Sequence, residues 1–349
     1  MAHTTVAVIG DRFVRTTLLR DAIEDAIEEA AGGLADKLRF VTDEHDWPDV
    51  PMAHDGEIRE YTGDADRVTA VLREAQVAAV HMAALGAKVL AAAPELRLVA
   101  CARSGAVNVN LEEAKRRGVV VCNAPGRNAR AVAEFTVALI IDVTKGLARG
   151  HRDLTAAGRW RTDLYRHDTV GEDLAALTVG LLGMGHIGRL LAPLLTAFGA
   201  RVLGCDPYVP AQVLAAAGVE PCAFAELLAR SDVVSLHARH RPGTAPLLGA
   251  RELAQMRRGA YLIQTARSPL LDYDALAREL AQGHLAGAAI DVFPDEPLPA
   301  GHPLRALPNV TLTPHIAGAS RGSARAGARM AAAAVAAWLR GEPPPHRMV

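Results

Sequence analysis

Val179-Gly180-Leu181-Leu182-Gly183-Met184-Gly185-His186-Ile187-Gly188 decides how this chain folds. The stretch opens as a short apolar strand and turns on three glycines in GxGxxG spacing. It then enters a helix with Leu190, Leu191, Leu194 and Leu195 on its apolar face. Gly183 permits the tight turn, Gly185 lets a backbone approach a pyrophosphate, and Gly188 allows the helix to pack closely on the strand; the helix N-terminus favours the anion. The next strand, Arg201–Cys205, runs into Asp206, whose carboxylate suits the ribose hydroxyls of NAD and repels the 2′-phosphate of NADP. Taken singly, the glycines are also a sterically required turn and Asp206 a turn residue before Pro207. Strand, spacing and acid together select the dinucleotide reading.

Working outward, Leu177–Pro314 alternates short apolar runs with helical segments, and residues 1–126 do the same on their own account. Val6–Ile9, Arg39–Val41, Val77–His81 and Leu98–Cys101 read as strands, and Thr17–Ala30, Asp66–Glu74 and Ala87–Ala92 as helices, the last closed by Pro94. Asp43–Asp64, rich in Pro, Gly, Asp and His, reads as a surface loop. Such alternation predicts parallel sheets covered on both faces, an α/β fold. Pro125-Gly126-Arg127-Asn128 reads as a hinge before a helix from about Ala131 to Gly146 that continues with interruptions toward Gly158. An alanine-rich helix spans about Ser320 to Leu339, and the prolines after Gly341 cannot continue it.

A chain of 349 residues exceeds what one core usually organises, so two domains are expected. A formal net charge of −1 and the lack of a lysine/arginine tract leave nucleic-acid and membrane partners without a basis. Cys101, Cys122, Cys205 and Cys222 lack metal-ligand spacing and suit a reducing cytoplasm, each expected as a small buried hydrophobe; no metal is expected. The first residues read directly as a strand, with no signal peptide, and no apolar run is long enough to cross a bilayer. The expectation is a soluble, cytoplasmic protein. Trp160 is expected to pack near the long helix after the hinge.

Three polar residues follow strands in the second region. Tyr261–Ala266 leads to Arg267; Ala286–Ile290 leads to Asp291, with Glu296 in the next loop; Val310–Pro314 leads to His315. In open α/β sheets ligands gather at the carboxyl ends of the strands. Moving hydride to or from C2 of a 2-hydroxy or 2-keto acid needs a group that takes or gives a proton, and an imidazole does both. A neighbouring carboxylate, Glu296, would fix its tautomer and favour its protonated form. A guanidinium, Arg267, offers a bidentate grip on a carboxylate and polarises the C2 carbonyl. Each residue alone is as readily a structural His or a solvated Arg.

Gln264-Thr265-Ala266-Arg267-Ser268-Pro269-Leu270-Leu271-Asp272, Asp291-Val292-Phe293-Pro294-Asp295-Glu296-Pro297 and Thr313-Pro314-His315-Ile316-Ala317-Gly318-Ala319 resemble the D-isomer-specific 2-hydroxyacid dehydrogenases. So do Pro94–Val99 with Ala102–Gly105, and Ala131–Thr136; the match runs in order from about Val77 to the C-terminus. The phosphoglycerate-dehydrogenase-like branch is the most similar. The resemblance implies a Rossmann NAD-binding domain, residues 127–319, inserted in a flavodoxin-like substrate domain made of residues 1–126 and 320–349. It also implies a homodimer formed largely through the NAD domains. Arg267, Glu296 and His315 then match the catalytic Arg, Glu and His, and Asp291 the acid near the nicotinamide amide. Gly183, Gly185, His186, Ile187, Gly188, Asp206, Ala238, Thr265, Ala266 and Gly318 border the cofactor. Ser104, Gly105 and Ala106 match the loop whose backbone N–H groups hold the substrate carboxylate.

The chain departs from the pattern in three places. Val107-Asn108-Val109-Asn110 has neutral amides where an acid is usual, Ser268-Pro269 replaces Gly-Gly after the arginine, and His237-Ala238-Arg239-His240-Arg241 is basic where apolar residues and proline are commoner. Arg103, Arg127, Arg161, Arg239 and Arg241 are candidates for binding a second anionic group on the substrate, such as a phosphate, phosphonate or carboxylate. Alternative readings are an NAD(H)-sensing, corepressor-like binding protein on the same fold, or a phosphite- or formate-type dehydrogenase. Phosphite dehydrogenases carry Lys where this chain has Ser104, and formate dehydrogenases use a Gln–His pair where Glu296 precedes His315.

Overall fold

The computed structural model describes residues 3–28, 37–49, 52–241 and 243–349. In chain order the strands are β1 (Thr4–Asp11), β2 (Leu38–His45), β3 (Ala53–His54), β4 (Arg59–Tyr61), β5 (Val77–Val80), β6 (Leu98–Cys101) and β7 (Val120–Cys122). They continue with β8 (Thr178–Leu182), β9 (Arg201–Cys205), β10 (Glu220–Pro221), β11 (Val233–Leu236), β12 (Tyr261–Gln264), β13 (Gly287–Ile290) and β14 (Val310–Leu312). The helices are α1 (Thr16–Glu28), α2 (Ala65–Leu72), α3 (Ala87–Ala91), α4 (Leu111–Arg116), α5 (Ala129–Lys145) and α6 (Leu147–Ala157). After them come α7 (His186–Ala197), α8 (Ala211–Ala216), α9 (Phe224–Arg230), α10 (Ala250–Gln255), α11 (Tyr273–Ala281) and α12 (Arg321–Leu339).

Two compact units emerge, Met1–Asn128 with Ala319–Val349, and Ala129–Gly318. In the first, five parallel strands lie in the order β2-β1-β5-β6-β7. In order of occurrence along the chain that is 2-1-3-4-5, the flavodoxin-like winding. The all-apolar runs of β5 and β6 are buried on both faces, as central parallel strands must be. One face is covered by α1 and α12, whose Leu19 and Ile23 share a core with the alanines Ala324, Ala328, Ala331 and Ala332. Small side chains on α12 let that helix lie close: a Cβ on Gly327 would sit 2.8 Å from the Ala102 carbonyl.

The second unit carries seven parallel strands in the order β10-β9-β8-β11-β12-β13-β14. The chain winds outward from β8 to β10, then restarts at β11 beside β8, a doubly wound Rossmann-type sheet with its switch point at the end of β8. Ala133, Val137 and Ile140 of α5 pack on Leu191 and Leu195 of α7 beneath this sheet.

Several expectations are corrected. Asp43–Asp64 is not all loop: β2 runs on to His45 in register with β1, a β3–β4 hairpin follows, and Ile58 is buried. Polar residues disguise this strand because their groups are used locally: Glu44 accepts the Thr16 N–H and the Asp43 carbonyl accepts the Thr16 hydroxyl. The helix read as Thr17–Ala30 is Thr16–Glu28 within the described residues, and Ala30 lies outside them. The helix expected from about Ala131 to Gly146, with interruptions toward Gly158, is found as α5 and α6, and the interruption is Gly146 at a φ of 69°. Cys101 and Cys122 are buried, but Cys205 and Cys222 are only partly so. Trp160 does not pack against a helix; it is 80% exposed.

Candidate active site

In the second unit the ends of β12, β13 and β14, neighbours in the sheet, deliver Arg267, Asp291 and His315. His315 Nδ1 lies 2.7 Å from Glu296 Oε2, while Glu296 Oε1 accepts the Phe293 N–H at 2.9 Å. Both carboxylate oxygens are therefore placed, one by backbone and one by the imidazole. Burial works to raise the Glu296 pKa, but the His315 hydrogen bond, the Phe293 N–H and the charges of His315 and Arg267 outweigh it and hold the carboxyl below its ordinary range. An ionised Glu296 accepts the Nδ1–H.

His315 itself sits at a φ of 54°, a left-handed conformation unusual for a residue with a Cβ. Asp291 holds that turn. Its side chain is fully buried; Oδ1 accepts the Thr313 hydroxyl and the Ile316 N–H, and Oδ2 accepts the Ala317 N–H. Expected beside the nicotinamide amide, Asp291 is seen here gripping both sides of the imidazole-bearing turn.

Arg267 is exposed, makes no ion pair among the described residues, and donates to its neighbour's carbonyl at Ala266. Its backbone is braced by Gln264, whose amide donates to the Arg267 carbonyl and accepts the Ala266 N–H. Sequence reasoning gave Gln264 no such task; a buried amide ending an apolar strand was the signal. Thr265 and Ala266 are buried, and the Thr265 hydroxyl meets that of Thr136 on α5 at 3.4 Å.

The glycine turn separates into distinct jobs. Gly183 has a φ of 99°, and a Cβ there would lie 2.6 Å from the Ala238 nitrogen. At Gly188 a Cβ would meet the Gly183 carbonyl at 2.5 Å, the close helix–strand approach expected of it. Around Gly185, the residue before α7, a Cβ would meet nothing within 4 Å, so this backbone faces open space beside exposed His186 and partly exposed Ile187. That cradle at a helix N-terminus fits a pyrophosphate. Asp206 Oδ2 accepts the Met184 N–H at 2.8 Å and Oδ1 the Tyr208 N–H at 2.9 Å, so this carboxylate also ties the glycine turn to the end of β9. Ala238 and Gly318 are partly exposed in the same unit.

Ser104, Gly105 and Ala106 belong to the first unit, following β6. Ser104 and Gly105 are partly exposed, whereas Ala106 is buried in the core. Buried Asn108 pins the loop by donating to the carbonyls of His81 and Ala83. Of the five candidate arginines, Arg161 is spoken for by Asp153 and Asp163, Arg103 pairs with Glu60, and Arg241 lies over the Tyr208 ring. Arg239 is exposed, and Arg127 has no carboxylate partner among the described residues.

Residues 137–317 match the family model described as D-isomer specific 2-hydroxyacid dehydrogenase, NAD binding domain. A glyoxylate reductase from Thermofilum pendens is 37% identical over 262 residues, covering 75% of this chain and 77% of that protein. A D-3-phosphoglycerate dehydrogenase from Mycobacterium leprae is 39% identical over 271 residues, covering 77% of this chain but 50% of the relative, so the chain spans about half the length of that protein. Among solved structures, the TT0316 protein from Thermus thermophilus superposes with a TM-score of 0.75 at 31% identity, covering 99% of this chain and 100% of the other.

Proposed function

The chain belongs to the D-isomer-specific 2-hydroxyacid dehydrogenase family, whose NAD-binding domain makes up most of its second unit, and from that premise we propose how its residues divide the work. Hydride passes between the nicotinamide, when bound, and C2 of a 2-hydroxy or 2-keto acid. His315 Nε2 removes the hydroxyl proton in oxidation and returns it in reduction. Glu296 holds the tautomer and favours the charged imidazole as the proton arrives. Arg267, which makes no ion pair among the described residues, grips the substrate carboxylate and polarises the carbonyl. Asp291 keeps the His315 turn in place and meets the carboxamide end of the cofactor, while backbone N–H groups of Ser104–Ala106 receive the substrate carboxylate. The pyrophosphate lies on Gly183–Gly188, and Asp206 faces the adenosine ribose.

The single observation that carries this reading is the His315–Glu296 pair at 2.7 Å, at strand ends shared with an arginine that makes no ion pair among the described residues. The named relatives act on glyoxylate and 3-phosphoglycerate. We place the substrate in the same class, a 2-keto or 2-hydroxy acid, with room in the arginine set for one that carries a second anionic group. The protein works as a homodimer: α6 buries none of its residues in this chain, and Leu147, Leu154, Trp160, Tyr165 and Val170 leave an apolar surface on the second unit. Among the described residues no helix is long and apolar enough to cross a membrane. Four free cysteines suit a reducing compartment, and we place the protein in the cytoplasm on that ground.

NADH oxidation followed by absorbance with glyoxylate, pyruvate, oxaloacetate and 3-phosphohydroxypyruvate tests the reading. Turnover with at least one, lost in His315→Asn, is expected. Tight NADH binding without turnover of any acid would instead favour an NAD(H)-sensing protein.

A further inference from the structure

At the carboxyl end of the first unit's sheet lies a buried polar chain that the hydride chemistry does not use. Asp11 ends β1, His81 follows β5, Arg103 follows β6 and Arg127 follows β7. The winding reverses between β1 and β5, since β2 lies outside β1 and the later strands lie beyond β5. Asp11 and His81 therefore flank the topological switch point, where open α/β sheets place ligands.

Both side chains are fully buried, with His81 Nδ1 at 2.6 Å from Asp11 Oδ2. The second imidazole nitrogen, Nε2, lies 3.3 Å from a terminal nitrogen of Arg127. A guanidinium only donates, so Nε2 is the acceptor and Nδ1 carries the proton given to Asp11. Burial, together with the charges of Arg127 and Arg103, holds the His81 pKa below its ordinary value despite the pull of Asp11, consistent with a neutral ring. Asp11 in turn is locked by the N–H groups of Phe13 and Val14. The chain is thus a directional support: backbone to Asp11, Asp11 to His81, His81 to Arg127.

What it supports is an undersatisfied cation. Arg127 Nε is buried without an acceptor among the described residues, and the other terminal nitrogen reaches the Ser323 carbonyl only at 3.5 Å. The guanidinium lies 5.5 Å from the centre of the Phe13 ring, which in turn packs on His81. Burial, with the neighbouring charge of Arg103, pushes its pKa down to about 10 against the opposing pull of Asp11. Arg103 has Glu60 and Arg161 has two aspartates; of these three, only Arg127 makes no direct ion pair among the described residues. A guanidinium held by a ring contact and two long hydrogen bonds keeps donor capacity in hand for an oxyanion.

We propose that Arg127, oriented by Asp11 and His81, is the receptor for an oxyanion of the phosphate or carboxylate class. The site is built within the first unit alone and does not depend on the proposed hydride chemistry. Asp11 and His81 are positioning residues here, and Arg127 meets the anion.

The thermal midpoint of NADH-saturated protein is followed with millimolar inorganic phosphate and, separately, with millimolar malonate, in the wild type, Arg127→Met and Arg127→Lys. At least one anion is expected to raise the midpoint of the wild type, to raise it less in Arg127→Lys, which keeps the charge but not the fork, and not to raise it in Arg127→Met. Which anion gives the larger shift identifies phosphate or carboxylate. No shift with either anion in the wild type, or an equal shift in the wild type and Arg127→Met, overturns the proposal.

Discussion

Asp291 accepts the hydroxyl of Thr313 at 2.6 Å, and by that bond a fully buried carboxylate at the end of β13 takes hold of the segment leaving β14. The same carboxylate accepts the N–H groups of Ile316 and Ala317, so His315, at its left-handed φ, is clamped from both sides. Reactive geometry here is backbone geometry first. Asp291→Ala strands those N–H groups, each worth about 1–3 kcal/mol when buried unsatisfied. Denaturant unfolding should show a loss of that order, with turnover falling alongside. A variant as stable and as active as the wild type would mean the clamp is dispensable.

His315→Asn should lower kcat about 10²–10⁴-fold, the usual contribution of a positioned acid–base group, while NADH fluorescence titration still reports binding. Glu296→Gln should cost less and should also move the pH profile. Keto-acid reduction needs the protonated imidazole, and a neutral amide no longer favours it, so activity should fade at a lower pH as the solution is made alkaline. An unshifted profile would show that Glu296 only braces the ring.

Gly183 and Gly185, neighbours in one turn, should respond oppositely to an added methyl. Gly183→Ala forces a Cβ to 2.6 Å from backbone at a φ of 99°, and thermal unfolding should reveal a clear loss of stability. Gly185→Ala meets nothing within 4 Å, so it should unfold as the wild type does yet bind NADH more weakly, because the methyl occupies the space a pyrophosphate needs. Equal NADH affinity in Gly185→Ala would place the pyrophosphate elsewhere.

Burial lowers the His237 pKa to about 4, with Nε2 against the Ser235 hydroxyl and Nδ1 without a partner among the described residues. The unfolded chain protonates this histidine near its ordinary value of about 6.5. Between those limits the unfolded state binds more protons, so stability is complete above about pH 6.5 and drains away as pH falls toward 4. The whole contribution is on the order of 3 kcal/mol. His81, lowered in the same direction, adds to the slope. Chemical denaturation at a series of pH values should show the decline, and His237→Asn should make it shallower.

Much of this protein was legible because its signals are local. The glycine turn, the strand into Asp206, and the runs ending at Arg267, Asp291 and His315 each carry their own periodicity or spacing. The run β2 was missed beyond Val41 because its outer half is polar, and its strand character comes from pairing with β1 rather than from its own composition. Trp160 was misplaced for the converse reason: an indole predicts burial, but no surface of its own chain covers it.

The sequence by itself determined two doubly wound parallel sheets, the dinucleotide turn and the chemical kinds available to the site, since these depend on residue type and short-range spacing. Only the tertiary structure decided which groups meet. Glu296 and His315, or Asp11, His81 and Arg127, come from separate strand ends. Their partners are set by the order in which parallel strands lie side by side, which no local pattern encodes. That order also decided that Arg103 pairs with Glu60 while Arg127 makes no ion pair among the described residues.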